Sequence, residues 1–73
     1  VVLGISTNDA LGLNGVNVMK LLNTKNIFFI PFGQDDPINK PNSLISDFPQ
    51  LTATIEAALE KKQLQPLLIQ YTK

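Results

Sequence analysis

The chain has 73 residues and carries six lysines against six acids, with no arginine, cysteine or histidine. Disulfides, thiolate metal sites and histidine-based catalysis within the chain are therefore excluded. A neutral chain without arginine also lacks the bidentate clamp that reads phosphates and bases, which argues against nucleic acid as a partner.

A domain of this length buries only about 60% of the surface its unfolded chain exposes, so it needs support from elsewhere. The chain opens on "VVLGI", without an initiator Met and already inside a strand pattern. We expect a piece of a longer protein. The longest apolar runs, "VVLGI" and "IFFIPF", fall far short of the roughly 20 residues that span a bilayer. No signal-peptide pattern opens the chain, so the expectation is a cytoplasmic protein with no membrane partner.

Val1 to Ile5 is a short, β-branched apolar run, the pattern of a strand covered on both faces. The polar segment "STNDALGLNGVN" follows, and it leads into "GVNVMKLLN". There Val18, Met19, Leu21 and Leu22, with Gly15 a turn earlier, predict a helix with one packed side. Asn14 is placed to cap it, and Asn26 in "TKN" suits the left-handed conformation that follows helix ends. Ile27 to Phe32 predicts a second two-sided strand, ending or lying at an edge at Pro31, which has no N–H to give a ladder.

From Gly33 to Asp47 the chain is polar, with Pro37 and Pro41 arguing against regular structure. Residues 48 to 62 predict the clearest helix, with Pro49 at its first position and Asp47 or Phe48 at the cap. Leu51, Ile55, Ala58 and Leu59 share one face, and Lys61 and Lys62 sit where the helix dipole favours cations. Pro66 to Tyr71 reads as a third short strand. Two-sided strands alternating with one-sided helices, in the order β-α-β-α-β, predict a parallel α/β sheet. Three strands make about half of a doubly wound domain.

In open parallel sheets, ligands bind outside the carboxyl ends of the strands. Ser6, Thr7, Asn8 and Asp9 leave the first strand there, and Gly33, Gln34, Asp35 and Asp36 leave the second. Adjacent strands would bring both segments to one crevice. The alternative is that these are ordinary turns in which Asn and Asp bond their own backbone. The stretch from Gly33 to Asp47 is longer than the usual connection of about 2–6 residues, and loops of that length are functional or disordered, so a binding role and ordinary turns stand level on pattern alone.

Other motifs are weaker. "GLNG" is not the spacing of a dinucleotide loop, and its glycines serve a tight turn and close helix packing equally well. Asp35 and Asp36 are acids that solvent can satisfy, so no metal is expected. Ser6 has no histidine to activate it. Lys40 reads as a surface lysine, and Phe28 and Phe29 as core.

The strings "STNDALGLN", "NTKNI", "PFGQDDP" and "KPNSL" resemble the C-terminal part of the B-subunit family of the dipicolinate synthases of spore-forming bacteria. The resemblance runs over nearly the whole chain. It implies similarity to flavoproteins of the cysteine-decarboxylase type, with a doubly wound, Rossmann-like three-layer fold and FMN bound between subunits. It also implies a partner, the A subunit of dipicolinate synthase, which resembles a nicotinamide-dependent dehydrogenase. Together the two would form an oxidoreductase-type synthase in the mother-cell cytoplasm during sporulation. They would make dipicolinic acid from a small-molecule substrate, dihydrodipicolinate.

One residue-level transfer follows from the resemblance. The flavin decarboxylases end a strand in Pro-x-Met-Asn, whose asparagine lies at the flavin and substrate. "ISTN" stands in that place, so Asn8 matches the asparagine, while Ser6 and Thr7 depart from the pattern. That departure argues against a free-standing decarboxylase and keeps Ser6, Thr7 and Asn8 as cofactor-binding candidates. Asp9, Asn14, Asn17 and Gln34 are the substrate-binding candidates flanking the same crevice. Amide side chains both donate and accept, which suits a planar ligand with several hydrogen-bonding atoms. The flavin-phosphate segments and the catalytic residues would lie outside this chain, so the chain alone is expected to be inactive. The alternative reading is an assembly half-domain in a homo-oligomer, with no ligand contact of its own.

Overall fold

The structure, a computed structural model, describes residues 1–71. Two short strands form its parallel centre. β1 (Val2–Leu3) pairs with β3 (Phe28–Phe29), Val2 opposite Phe28 and Leu3 opposite Phe29. The chain crosses between them through α1 (Gly15–Leu22). Because successive residues of β1 and β3 face opposite sides, apolar side chains are required on both, as the sequence has them. Phe29 is fully buried and meets Phe32 edge to face at 5.9 Å between ring centroids. Around this pair Ala10, Val18 and Leu44 complete the core.

Beyond this centre the two strands part, and the expected loop from Gly33 to Asp47 supplies the reason. Leu44–Ser46 forms a strand of its own, β5. It inserts antiparallel between β2 (Ser6–Thr7) and β4 (Phe32–Gly33), which continue β1 and β3. Ile45 has Ser6 on one side and Gly33 on the other. The sheet is therefore α/β with mixed pairing rather than parallel throughout.

Ser46 sits at the fork. Its buried hydroxyl accepts the Ile5 N–H at 2.8 Å and donates to the Ile30 carbonyl at 3.3 Å. Its own N–H donates to the Ile5 carbonyl, and the next N–H, of Asp47, donates to the Pro31 carbonyl. The single strand expected from Ile27 to Phe32 is accordingly broken into β3 and β4, with Pro31 between them.

The third strand is reduced to one parallel bridge, Phe32 to Leu68. Ahead of it, Gln63 takes the place of a strand: its side-chain amide accepts the Phe29 N–H at 2.8 Å and donates to the Phe29 carbonyl at 2.6 Å. A side-chain amide thus closes an edge that would otherwise expose an unpaired peptide group.

The helices depart from the expected faces. In α1, Val18 is buried and Leu22 half-buried, but Met19 is 56% exposed and Leu21 lies near the surface. Asn14 stands at the cap position with helical backbone angles and makes no side-chain cap bond. The other end of α1 is held by side chains, since Asn23 Nδ2 and Thr24 Oγ1 donate to its last carbonyls. Asn26 is left-handed at φ 64°, as its position after a helix predicts.

The second helix opens with a 3₁₀ turn, Phe48–Gln50, that carries Pro49, and continues as α2 (Leu51–Leu59). Asp47 precedes the turn without capping it through its side chain and accepts a bond from Gln50 Nε2 instead. Thr54, not the leucine stripe, is the fully buried residue of α2, and the helix packs on β1 and β3. Ala58 is half-buried, while Leu51 and Ile55 are each 42% exposed and Leu59 stands in solvent. At 100° per residue Thr54, Ala57 and Ala58 lie on one flank and Leu51, Ile55 and Leu59 on the next, and it is the small-residue flank that is turned inward. The helix closes with paired bonds from Lys61 and Lys62 N–H to the Ala58 and Ala57 carbonyls, with Lys61 left-handed at φ 59°.

Candidate functional site

The carboxyl ends of β1 and β3, with their continuations β2 and β4, define the polar end of the molecule. The chain leaves β2 in consecutive turns: Gly12 N–H donates to the Asp9 carbonyl and Gly15 N–H to that of Gly12, each at 3.0 Å. Asp9 organises this loop. Its N–H donates to Thr7 Oγ1, one carboxylate oxygen accepts the Asn14 N–H at 3.4 Å, and the other lies where a Cβ on Gly12 would be. A Cβ at Gly12 would displace that carboxylate oxygen.

The Gly33 to Asp47 stretch folds on itself in the same way. Asp36 accepts from the Asn39 and Lys40 N–H groups and from Asn39 Nδ2, closing a tight turn. Gln34 Nε2 donates to the Pro41 carbonyl at 2.8 Å. A main-chain bond, Leu11 N–H to the Asn42 carbonyl at 3.0 Å, ties the two segments together.

The expected common crevice is thus divided, because β5 lies between the two strand ends. On the β2 side, Asn8 is exposed, with its Oδ1 3.5 Å from the hydroxyl of Ser43, a buried residue. Ser6 is exposed beside it, while the Thr7 hydroxyl is occupied by its own loop. On the β4 side stand Gln34 and Asp35. Asp35 Oδ1 is buried and has no hydrogen-bond partner among the described residues. Asn14 and Asn17 are exposed, one at the start of α1 and one on it. Of the seven candidates, the structure brings Ser6, Thr7 and Asn8 to one edge with Ser43. It places Gln34 across β5 and turns Asp9 into its own loop.

Tyr71 closes the β4 side, donating to the Ile45 carbonyl at 2.9 Å. Burial raises its hydroxyl pKa above the ordinary 10.0, and the negative charges of Asp47 and Asp35 raise it further. Sequence reading did not single out Ser43, Ser46 or Tyr71. A buried serine within a polar loop carries no periodic signal, because its partners lie far along the chain.

Among the described residues no group of three or more Asp or Glu side chains is placed to hold a metal ion. No helix among them is long and apolar enough to cross a membrane.

A strand–helix–strand unit with polar loops at its strand ends defines the class: a segment of an α/β protein. The chain is 67% identical, over 96% of its length, to the B subunit of dipicolinate synthase from Bacillus subtilis (strain 168), and covers 35% of that protein. It also superposes on the crystal structure of the dipicolinate synthase B subunit from Bacillus halodurans with a TM-score of 0.96 and 64% identity. That match covers 99% of this chain and 37% of the other. No protein-family model matches the chain. The resemblance read from the four strings is therefore upheld, and the chain spans about a third of the length of the two relatives.

Proposed function

We propose that this chain is the C-terminal segment of a dipicolinate synthase B subunit, within a doubly wound, Rossmann-like flavoprotein domain. The 67% identity over nearly the whole chain carries the reading. The whole protein then works with the A subunit, in the cytoplasm of the mother cell, in oxidoreductase-type synthesis of dipicolinic acid from dihydrodipicolinate. The segment contributes the edge formed by Ser6, Thr7 and Asn8 to a flavin and substrate site, and is inactive alone.

The residues present fit one part of an FMN site. Asn8 is exposed, and its Nδ2 has no partner among the described residues, so it is free to donate to a ring carbonyl or a hydroxyl. Ser6 adds a hydroxyl at the same edge. Nothing at this edge matches a phosphate anchor, since the chain has no arginine and α1 begins in its own chain of turns. When bound, FMN supplies the redox chemistry; the residues named here bind and orient it.

The assembly reading is favoured by a different observation. Phe48, Leu51, Ile55 and Leu59 leave an apolar stripe uncovered along α2, and such stripes mark contact surfaces. One experiment separates the two readings: the full-length protein, its Asn8→Ala variant and the isolated chain are each incubated with FMN, desalted and scanned for flavin absorbance. Yellow wild type with a colourless variant and colourless chain supports the site reading. Equal flavin retention by wild type and Asn8→Ala transfers support to the assembly reading.

A further inference from the structure

The cavities at this end of the molecule lie away from the Asn8 edge. Across β5 an apolar cavity of about 290 Å³ lies between α1 and the sheet, walled by Val18, Met19, Phe32, Leu44 and Leu68, with Gln34 as its polar member. It adjoins a second cavity of about 410 Å³ bordered by Pro37, Ile38, Gln70 and Tyr71, and the two share Gln34 and Ile69. Neither Asn8 nor Ser43 lines them. The smaller cavity lies just below the usual range of small-molecule sites and is the size for a single ring rather than a fused system.

Three observations define what chemistry fits. Gln34 Nε2 is committed to the Pro41 carbonyl, which leaves Oε1 as an acceptor at the junction of the cavities. The neighbouring Asp35, whose buried carboxylate oxygen has no donor among the described residues, lines neither cavity. Among the described residues neither a lysine nor an acid lines either cavity, so the described walls carry no charge. The slot is thus apolar and uncharged, with Gln34 as its polar member. An anion entering it loses its hydration against apolar walls with no charged partner among the described residues, whereas an uncharged ring with an N–H donor finds the Gln34 acceptor.

We propose that this cavity is a second binding site, separate from the Asn8 edge, for a flat, uncharged, single-ring compound bearing an amide N–H that Gln34 Oε1 accepts.

The test uses two probes of equal shape, benzamide and benzoate, mapped by amide chemical shifts on the full-length protein. The expected result is that benzamide shifts the amides of Gly33, Gln34, Leu44 and Ile69, and that benzoate binds at least about tenfold more weakly, about 1.4 kcal/mol. Gln34→Leu keeps the volume and removes the acceptor; it should weaken benzamide about fivefold to tenfold and leave benzoate unchanged. Leu68→Trp, at a position 70% exposed, fills the mouth without touching the core and should block benzamide. It also gives a fluorescence signal, since the chain has no tryptophan of its own. Absence of benzamide binding, equal binding of the two probes, or benzamide binding unchanged in Leu68→Trp would overturn the proposal. FMN retention and its dependence on Asn8 are read separately, so loss of one reading leaves the other standing.

Discussion

Ser46 offers the sharpest test of how the fork in the sheet is held. The residue is 3% exposed, and its hydroxyl serves two main-chain groups at once, the Ile5 N–H at 2.8 Å and the Ile30 carbonyl at 3.3 Å. Ser46→Ala removes one oxygen and leaves both groups without that partner where the strands separate. An unsatisfied buried group costs about 1–3 kcal/mol. The N–H bond is short and the carbonyl bond long, so the expected sum is about 2–4 kcal/mol. A protein about three times this length shifts about 2–4 °C in Tm per kcal/mol, so the change should be about 4 °C or more.

Ser43 provides the internal control. It is as buried as Ser46, yet its hydroxyl makes only the 3.5 Å contact to Asn8, and Ser43→Ala should cost under about 1 kcal/mol. Urea denaturation of the full-length protein measures both. Equal losses in the two variants, or a loss below about 0.5 kcal/mol for Ser46→Ala, would refute the assignment of the fork to that hydroxyl.

Further outcomes follow from the same geometry. Lys61 holds a left-handed backbone at φ 59° that costs a side-chain-bearing residue about 1–2 kcal/mol; Lys61→Gly should raise stability by about 1 kcal/mol in the same urea titration. The Tyr71 hydroxyl has a folded-state pKa raised above 10.0, so the folded state holds its proton more tightly than the unfolded state. Its contribution to stability is therefore fully present below pH 10 and is lost as pH rises from there through the folded pKa. Tyr71→Phe should flatten that decline in a pH series of thermal melts. The isolated chain, with Leu51, Ile55 and Leu59 exposed on α2, should self-associate in sedimentation runs. Ile55→Lys should shift it toward monomer, and a monomeric wild-type chain at high concentration would count against the stripe as a contact surface.

Much of this molecule is specified locally. The strand centres at Val2–Leu3 and Phe28–Phe29, the helix after the polar segment, the break at Pro31 and the left-handed Asn26 are all set by residues within a few positions of each other. β-branched runs, a proline without an N–H and an asparagine after a helix act through their own backbone, so their effect is readable without the fold. The resemblance carried by "STNDALGLN" and "PFGQDDP" was equally legible, because unusual strings survive where periodicity is silent.

What the sequence alone did not contain is the path of β5. "LIS" is three residues long, and its partners at Ser6 and Phe32 lie far away in the chain. Only the closed structure shows that it divides the expected crevice and leaves Asn8 and Gln34 on different sides. The same holds for α2, whose stripe gave a period but not the direction it faces. Thr54, Ala57 and Ala58 turn inward because they are small, and the larger side chains are left outside. Local chemistry determined which segments form strands, helices and turns in this protein. Long-range pairing and the available packing surface decided which of their polar groups meet.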